Sequence, residues 1–350
     1  MIRTRICDLF GIDVPIVQTG MGWVAGPRLV TATARAGALG ILASATMTLD
    51  ELERAIAEVQ DRTDRPFGVN LRADAEDADA RVQLLVRRGV RVASFALAPR
   101  EAQVKALKDA GVVVVPSVGA RRHAEKVAAW GADAVVVQGG EGGGHTGPVP
   151  TTLLLPQVVD AVGIPVVAAG GFFDGRGLVA ALAYGACGVA MGTRFLLTRE
   201  STVPDPVKRY YLERGLTDTV VTTRIDGVPH RVLRTELVDA LERTNALTGL
   251  PRALRNAVRF KRMSGASWRG MVREGLAMKR EAGLGWTQVA LAANTPMLLR
   301  AGLVEGRLDA GVLSSGQVVG VIDDLPTVAE VVTRIVQEAE ETLRRLGGTG

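Results

Sequence analysis

Eight short runs rich in valine, isoleucine and alanine recur through the first two hundred residues, and they constrain the fold more than any other feature. The runs are continuously apolar, which is typical of strands buried on both faces of a parallel sheet. Their starts lie about 20 to 31 residues apart, with helical periodicity between them, and this predicts an α/β fold of the closed (β/α)8 TIM-barrel type. An open doubly wound sheet is the alternative, which eight equal units disfavour. The runs cover 14–20, 39–44, 66–70, 91–97, 112–118, 133–139, 164–171 and 188–193.

The barrel pattern breaks after the eighth run. Residues 219–237 have the pattern of a hairpin turning at Asp226-Gly227, a basic helical stretch covers 251–273, and a further helix is predicted at 285–302. We therefore predict three parts: a cofactor-binding barrel over 1–213, an inserted lid over 214–285, and helices that return to the barrel over 286–350.

Composition excludes several functional classes. Two cysteines, Cys7 and Cys187, cannot build a disulfide framework, and Cys187 is expected to be a small buried residue. Neither a secretion signal nor an uninterrupted run of 18 apolar residues is found, so a cytoplasmic protein without a membrane contact is expected. The net charge of +5 is dispersed and aromatic residues make up only 4%, which disfavours nucleic acid and favours an acidic small molecule.

The predicted strands end in glycines and short polar side chains, where barrel active sites lie. Glycine turns after the seventh and eighth runs suit a phosphate, because bare backbone N–H groups converge there. No nucleoside triphosphate motif of the form GxxxxGK[ST] is present, which favours a monophosphate cofactor. Polar side chains at other strand ends could hydrogen-bond the edge of a heteroaromatic ring. Together with the glycine turns, they predict a flavin mononucleotide (FMN) site. Its members are Gly20, Met21, Gly22, Asn70, Ser117, Gln138, Gly143, Gly144, Ala169, Gly170, Gly171, Met191, Gly192 and Thr193.

His145 follows three glycines, so its ring should project over the cofactor rather than pack in a core. An imidazole takes or gives a proton near neutral pH, which suits general acid–base chemistry. Glu141 either orients His145 or caps the following turn, and His230 has either a structural role or a role in substrate binding. His123 is expected to face solvent. No His, Cys, Asp or Glu group has metal-ligand spacing, so no metal is predicted.

Three segments carry a family resemblance: PIVQTGMGW, VVQGGEGGGHTG, and IPVVAAGG continuing to GVAMGTRF. They resemble the nitronate monooxygenase and 2-nitropropane dioxygenase-like family of FMN-dependent barrels, which includes flavin enoyl-acyl-carrier-protein reductases. The resemblance covers about residues 12 to 200 and the late SSGQVVGVI at 314–322. It implies FMN as the cofactor and His145 as the catalytic residue. The DGVPHRVLRTE and AANTPMLLRAGLVEG segments look most like flavin dehydrogenases of bacterial steroid degradation, which act on a bicyclic coenzyme A thioester.

The resemblance implies an FMN-dependent oxidoreductase that removes a proton α to an acyl-CoA thioester while a hydride leaves the β carbon for flavin N5. Lid arginines, Arg259 and Arg262 in particular, are expected to hold coenzyme A phosphates, although a solvated helix face is the plainer interpretation. The alternatives are a nitronate monooxygenase using dioxygen, a flavin enoyl-thioester reductase, and a flavin-binding module without turnover. The sequence leaves open the electron acceptor, the stereochemistry, the choice between coenzyme A and an acyl carrier protein, and the oligomeric state, a homodimer included.

Overall fold

The structure is a computed structural model that describes residues 2–96, 98–243 and 286–348, with the backbone alone for 286–294. Its centre is a closed barrel of parallel strands, in which each strand pairs with its neighbour in chain order and β9 returns to β1. The predicted barrel is therefore confirmed, and the open sheet is wrong. The barrel strands are β1 (Ile16–Gln18), β2 (Leu39–Ala43), β3 (Phe67–Leu71), β4 (Val92–Phe95), β5 (Val113–Val118), β6 (Val135–Gln138), β8 (Val166–Ala169) and β9 (Gly188–Met191).

Helices follow the barrel strands and form the outer layer. The helix at Leu49–Arg62 begins with a capping box, in which Thr48 and Glu51 exchange hydrogen bonds. The helices are α1 (Arg5–Phe10), α2 (Pro27–Arg35), α3 (Leu49–Arg62), α4 (Ala78–Arg87), α5 (Glu101–Asp109), α6 (Arg121–Ala129), α7 (Thr151–Val159), α8 (Gly175–Ala183), α9 (Thr193–Leu196), α10 (Asp205–Leu212), α11 (Glu236–Glu242), α12 (Trp286–Leu303) and α13 (Val328–Gly347).

Helix α1 closes the amino-terminal end of the barrel. Its side chains Ile6, Cys7 and Phe10 are fully buried and belong to the same hydrophobic cluster as inward-facing strand residues such as Val17 and Val167. This packing leaves the carboxyl ends of the strands as the accessible end of the barrel, where sites of this fold form. Cys187 belongs to the same cluster only at its edge: it is half-buried, so the expectation of full burial is wrong.

The predicted hairpin is present and lies against the barrel. Strands β10 (Thr219–Thr222) and β11 (His230–Leu233) are antiparallel, and β11 also pairs with β7 (Gly144–His145), a two-residue strand in the loop after β6. The barrel loop and the hairpin therefore form one small sheet of three strands.

The last helix lies on the outer layer of the barrel. Helix α13 packs on α8, where a Cβ on Gly175 would lie only 2.3 Å from the backbone nitrogen of Ala339. The basic stretch at 251–273 lies outside the described residues, so the division at 213 and 285 stays a prediction. None of the helices in the described ranges combines the length and hydrophobicity needed to cross a lipid bilayer.

Candidate active site

The glycine turns after β8 and β9 lie at the open end of the barrel. Gly170 and Gly171 have φ angles of +88° and +87°, which only glycine adopts without strain. The nearest atom to a Cβ on Gly171 would be 3.9 Å away, so open space lies beside this backbone. After β9, Gly192 precedes Thr193, the first residue of α9. The backbone at both turns is thus bare, as a phosphate cradle requires.

Strand β1 brings the predicted Gly20 and Met21 to the same end of the barrel. A Cβ on Gly20 would lie 2.5 Å from Cβ of Asn70, and a Cβ on Gly192 would lie 3.5 Å from the Met21 sulfur. The structure therefore brings residues that follow β1 and β9 together with Asn70 of β3. Ala169 and Met191 are buried at the ends of their strands, Ser117 is half-buried near the end of β5, and Gly22 faces Thr46.

Two of the predicted polar contacts are engaged within the protein. The Asn70 side-chain amide donates to the Ser94 hydroxyl over 3.2 Å. The Gln138 amide donates to the carbonyl oxygens of His145 and Gly143, at 2.8 and 3.4 Å. The amide nitrogen of Gln138 therefore braces the His145 loop, and the cofactor contact expected of Gln138 stays a prediction.

The His145 loop is pressed against a distant segment. A Cβ on Gly143 would lie 2.5 Å from the backbone nitrogen of Gly316 and from the carbonyl carbon of Ser315, so no larger residue fits. Gly144 has a φ of +75° and nothing within 4 Å of a Cβ position. The loop is thus packed on one side, open on the other, and ends at His145, whose side chain is 58% exposed.

The imidazole of His145 is hydrogen-bonded to a carboxylate that the sequence did not identify as a site residue. Nε2 of His145 lies 2.7 Å from Oδ2 of Asp226, which also lies 3.4 Å from Nδ1 of His230. Nε2 of His230 lies 2.8 Å from the Ser314 hydroxyl. His145 and His230 are cross-strand partners in β7 and β11, with ring centroids 4.7 Å apart. The sequence signal was present only as turn residues: Asp226 in the Asp-Gly turn and Ser314 in the SSGQ segment.

Asp226 is ionised despite its burial. Its side chain is only 8% exposed, which opposes ionisation, but hydrogen bonds from the imidazoles of His145 and His230 outweigh this and hold its pKa well below the usual range. A second ion pair lies nearby: Arg72 and Asp74, 2.6 Å apart and half-exposed, are close enough for their charges to act on Asp226 and His145 respectively. The imidazole of His145 therefore contacts the buried carboxylate of Asp226 and lies within electrostatic range of the Arg72–Asp74 ion pair.

Glu141 has the second of its two expected roles. Its carboxylate accepts hydrogen bonds from the backbone nitrogen and hydroxyl of Thr151, at 2.9 and 2.7 Å, and so caps α7. Orientation of His145 falls to Asp226 instead. His230 is 4% exposed on its side chain and both ring nitrogens have protein partners, which favours the structural role over substrate binding. His123 is exposed on α6, as expected.

Spacing along the chain gave no indication of a metal site, yet His145, Asp226 and His230 bring three ligand-type atoms within 4.8 Å of one another. The Asp226 carboxylate already accepts from both rings, so we treat the group as a hydrogen-bonded network. The predicted coenzyme A contacts Arg259 and Arg262 lie outside the described residues.

One buried hydrogen-bond acceptor at the end of β1 has no donor among the described residues. Oε1 of Gln18, the last residue of β1, is buried and has no hydrogen-bond partner among the described residues, while its amide nitrogen donates to the carbonyls of Thr19 and Ile41. A buried acceptor without a donor is costly unless a bound group supplies one. The glycine turns, the Met21 side chain and this acceptor are the features that fit a flat ring with N–H groups and a phosphate tail.

Comparison with known proteins gives a consistent result. The sequence model of the nitronate monooxygenase family matches residues 3–80 and 75–338. Two curated relatives, from Mycobacterium tuberculosis and Rhodococcus jostii, are each named (3aS,4S,5R,7aS)-5-hydroxy-7a-methyl-1-oxo-octahydro-1H-indene-4-carboxyl-CoA dehydrogenase. The first is 67% identical, with 97% of this chain and 96% of the relative covered. The second is 64% identical, with 99% and 98% covered. Among solved structures, FabK from Thermotoga maritima superposes with a TM-score of 0.81 and 35% identity, over 99% of both chains.

Proposed function

The chain belongs to the nitronate monooxygenase family, and from that premise we propose that it is an FMN-dependent dehydrogenase of a bicyclic acyl-CoA thioester. It is an oxidoreductase, like its family. The substrate is proposed from the two relatives of 67% and 64% identity, whose shared name specifies a hydroxylated hydroindanone carrying a carboxyl-CoA group. The proposal includes a cytoplasmic enzyme, since coenzyme A thioesters are intracellular metabolites.

The residues at the open end of the barrel fit FMN. The turns at Gly170–Gly171 and Gly192–Thr193 would hold the phosphate through backbone N–H groups. Asp174 accepts from the backbone nitrogen of Gly177 and so caps α8 with its own carboxylate, which leaves the phosphate to the turns themselves. Oε1 of Gln18 would accept from a ring N–H. When bound, FMN supplies the acceptor for the hydride that leaves the β carbon of the substrate.

His145 is proposed as the base for the proton α to the thioester carbonyl. The thioester makes that C–H bond acidic, so a neutral imidazole within reach can take its proton. The exposed ring presents one nitrogen to the open face, while the other is hydrogen-bonded to Asp226. After the transfer, the new imidazolium lies against an ionised carboxylate, which stabilises it. Gln138 and the pairing of β7 with β11 keep the His145 backbone in place.

Coenzyme A recognition is assigned to the basic lid. Guanidinium groups match phosphate oxygens through paired hydrogen bonds, and the lid sequence carries Arg259 and Arg262 among seven basic residues in 251–273. The double variant Arg259→Ala/Arg262→Ala should raise KM for the coenzyme A thioester while leaving flavin content unchanged.

One observation supports the proposal most strongly: an exposed imidazole, held by a buried carboxylate, stands at the bare glycine face of a flavoenzyme-family barrel. Anaerobic titration of the holoenzyme with the thioester named for the relatives should bleach the flavin absorption. His145→Ala should keep the colour and lose bleaching, whereas His123→Ala, on the exposed surface of α6, should behave as wild type. A wild-type flavin that stays oxidised with this thioester would refute the substrate assignment.

The family match supports a second candidate, a nitronate monooxygenase. Rapid oxygen uptake with propyl 3-nitronate, without flavin bleaching by the thioester, would favour it. Flavin reduction by a nicotinamide donor followed by reoxidation with an enoyl thioester would favour a reductase instead. A cofactor that no substrate or donor reduces would leave only a flavin-binding module.

A further inference from the structure

Behind the exposed ring of His145, three further side chains continue a hydrogen-bonded chain into the protein. Asp226 comes from the hairpin turn, His230 from β11, and Ser314 from the segment before the final helix. Backbone contacts place two of them: β11 pairs with β7 at His230 and His145, and Val232 of β11 forms a bridge to Ser314. The hydrogen-bonded side chains therefore follow a fixed order from the open face inward: His145, Asp226, His230, Ser314.

The proton positions in this chain follow from what each atom can do. Asp226 is ionised, so its oxygens only accept. Oδ1 accepts from the backbone N–H of Val228 at 3.1 Å, which leaves Oδ2 facing both rings. Nε2 of His145 and Nδ1 of His230 must each carry a hydrogen for these contacts to be favourable. The Ser314 hydroxyl then donates to Nε2 of His230. Every donor in the chain has an acceptor.

We propose that Asp226 is a positioning residue that fixes His145 as the Nε2–H tautomer, so that Nδ1 is the nitrogen that takes the substrate proton, while His230 is held as the opposite, Nδ1–H tautomer. Nδ1 of His145 has no hydrogen-bond partner within the described ranges, and the ring is 58% exposed. The assignment of Nδ1 as the reacting atom rests on the proposed function. The tautomers themselves do not.

The electrostatic surroundings favour this arrangement. The charged and titratable groups that face the pair of rings are Asp226, in contact with both, and the Arg72–Asp74 ion pair at the end of β3. Among the described residues, Asp226 is the ionised group in direct contact with His145, whereas Arg72 and Asp74 are paired with each other. A single carboxylate on the Nε2 side therefore decides which nitrogen is free.

The tautomers can be read directly, because the whole chain contains only three histidines. We would record long-range proton–nitrogen correlation spectra of full-length holoenzyme labelled with nitrogen-15 histidine, at about pH 8, above the ordinary imidazole pKa of about 6.5. His123→Gln, on an exposed helix face, identifies the signals of the third ring, and His145→Ala distinguishes the signals of the remaining two. The expected spectrum has a pyridine-type Nδ1 for one ring and a pyridine-type Nε2 for the other. Two rings of the same tautomer, or Nδ1–H on His145, would overturn the inference.

Asp226→Asn provides the matched perturbation. The Val228 N–H keeps an oxygen acceptor at the Oδ1 position, so the amide NH2 must occupy the Oδ2 position and donate toward the rings. Nε2 of His145 then becomes an acceptor, and the hydrogen moves to Nδ1. We expect the spectrum of His145 to invert and the rate of flavin reduction by the thioester to fall about 10²- to 10⁴-fold, the usual contribution of a general base. Flavin content should be unchanged.

The outcomes separate this inference from the proposed function. If wild-type flavin is not reduced by the thioester but the opposite tautomers are seen, the substrate is wrong and the network is right. If the thioester reduces the flavin and His145 carries its hydrogen on Nδ1, the inference fails alone. Asp226→Glu retains the carboxylate and should recover part of the rate lost in Asp226→Asn. If Asp226→Glu shows the native tautomer of His145 but no recovery of the rate of flavin reduction, this would also count against Asp226 as the positioning residue.

Discussion

The contact between the His145 loop and the SSGQ segment gives the sharpest stability prediction. Gly143→Ala places a methyl group 2.5 Å from the backbone nitrogen of Gly316, where ordinary contact begins near 3.4 Å. Backbone atoms cannot rotate away, so the two segments must separate by about 1 Å, and such overpacking typically costs about 1–3 kcal/mol.

The same separation weakens two hydrogen bonds. Gly316 N donates to the Thr193 hydroxyl at 2.9 Å and Gln317 N donates to the carbonyl of Glu141 at 3.0 Å. Each is worth about 1 kcal/mol, so the total loss in unfolding free energy is roughly 3–5 kcal/mol when both are lost. Since Thr193 is also a predicted cofactor contact, flavin retention should fall together with stability.

Urea denaturation followed by circular dichroism measures the loss, and gel filtration measures the flavin that stays bound. Gly163→Ala is the matched control, because a Cβ there meets nothing within 4 Å. It should change the unfolding free energy by less than about 1 kcal/mol, in either direction. If Gly143→Ala unfolds at the same urea concentration as Gly163→Ala and holds flavin equally, the close packing of the two segments is refuted.

The remaining predictions concern single contacts. Asp324→Asn should lower the unfolding free energy by roughly 3 kcal/mol, the low end for breaking a buried pair, because it removes the partner of buried Arg194 while Asp324 itself is 32% exposed. Burial opposes ionisation of Asp324, but its arginine partners depress its pKa. This stabilisation is therefore present above the unfolded pKa of about 3.9 and is lost as pH falls through the lower folded value, so the difference from wild type in urea midpoints should vanish in strong acid. Trp23→Phe keeps the ring but removes the 3.1 Å hydrogen bond to the carbonyl of Pro296, so hydrogen exchange in α12 should speed up by about tenfold. Unchanged exchange would show that this bond does not hold α12. Glu141→Ala should cost about 1–3 kcal/mol by uncapping α7, yet leave the His145 tautomer as in wild type, and an altered tautomer would contradict the capping role.

The barrel could be predicted because its signal is local. Each strand is a continuous apolar run, and each helix has its own periodicity, accompanied at Thr48 and Glu51 by a local capping signal. Short windows of the sequence therefore contain the information needed. The same holds for the hairpin, whose Asp-Gly turn is readable in place. Cys187 was misjudged because its position at the edge of the inner cluster depends on how the strands close.

The site could be predicted only in part. The glycines and His145 are visible as a dense motif, but the partner of His145 lies 81 residues further along the chain. Strand β7 has only two residues and therefore no periodicity, so nothing local predicts that it pairs with β11. The cofactor contact expected of Gln138 stays a prediction for a related reason: a side-chain amide at a strand end suits a ligand or a loop equally, and in the fold its nitrogen donates to the loop.

The three-stranded sheet divides the residues proposed to handle the proton between two stretches of chain. The barrel contributes the imidazole and the hairpin contributes the carboxylate, so neither is complete by itself. A hybrid that exchanged residues 219–233 for those of a relative would exchange Asp226 and both strands of the hairpin in the same operation. In the proposed mechanism, the tautomer of His145 and the fold of the hairpin would then be inherited as a unit.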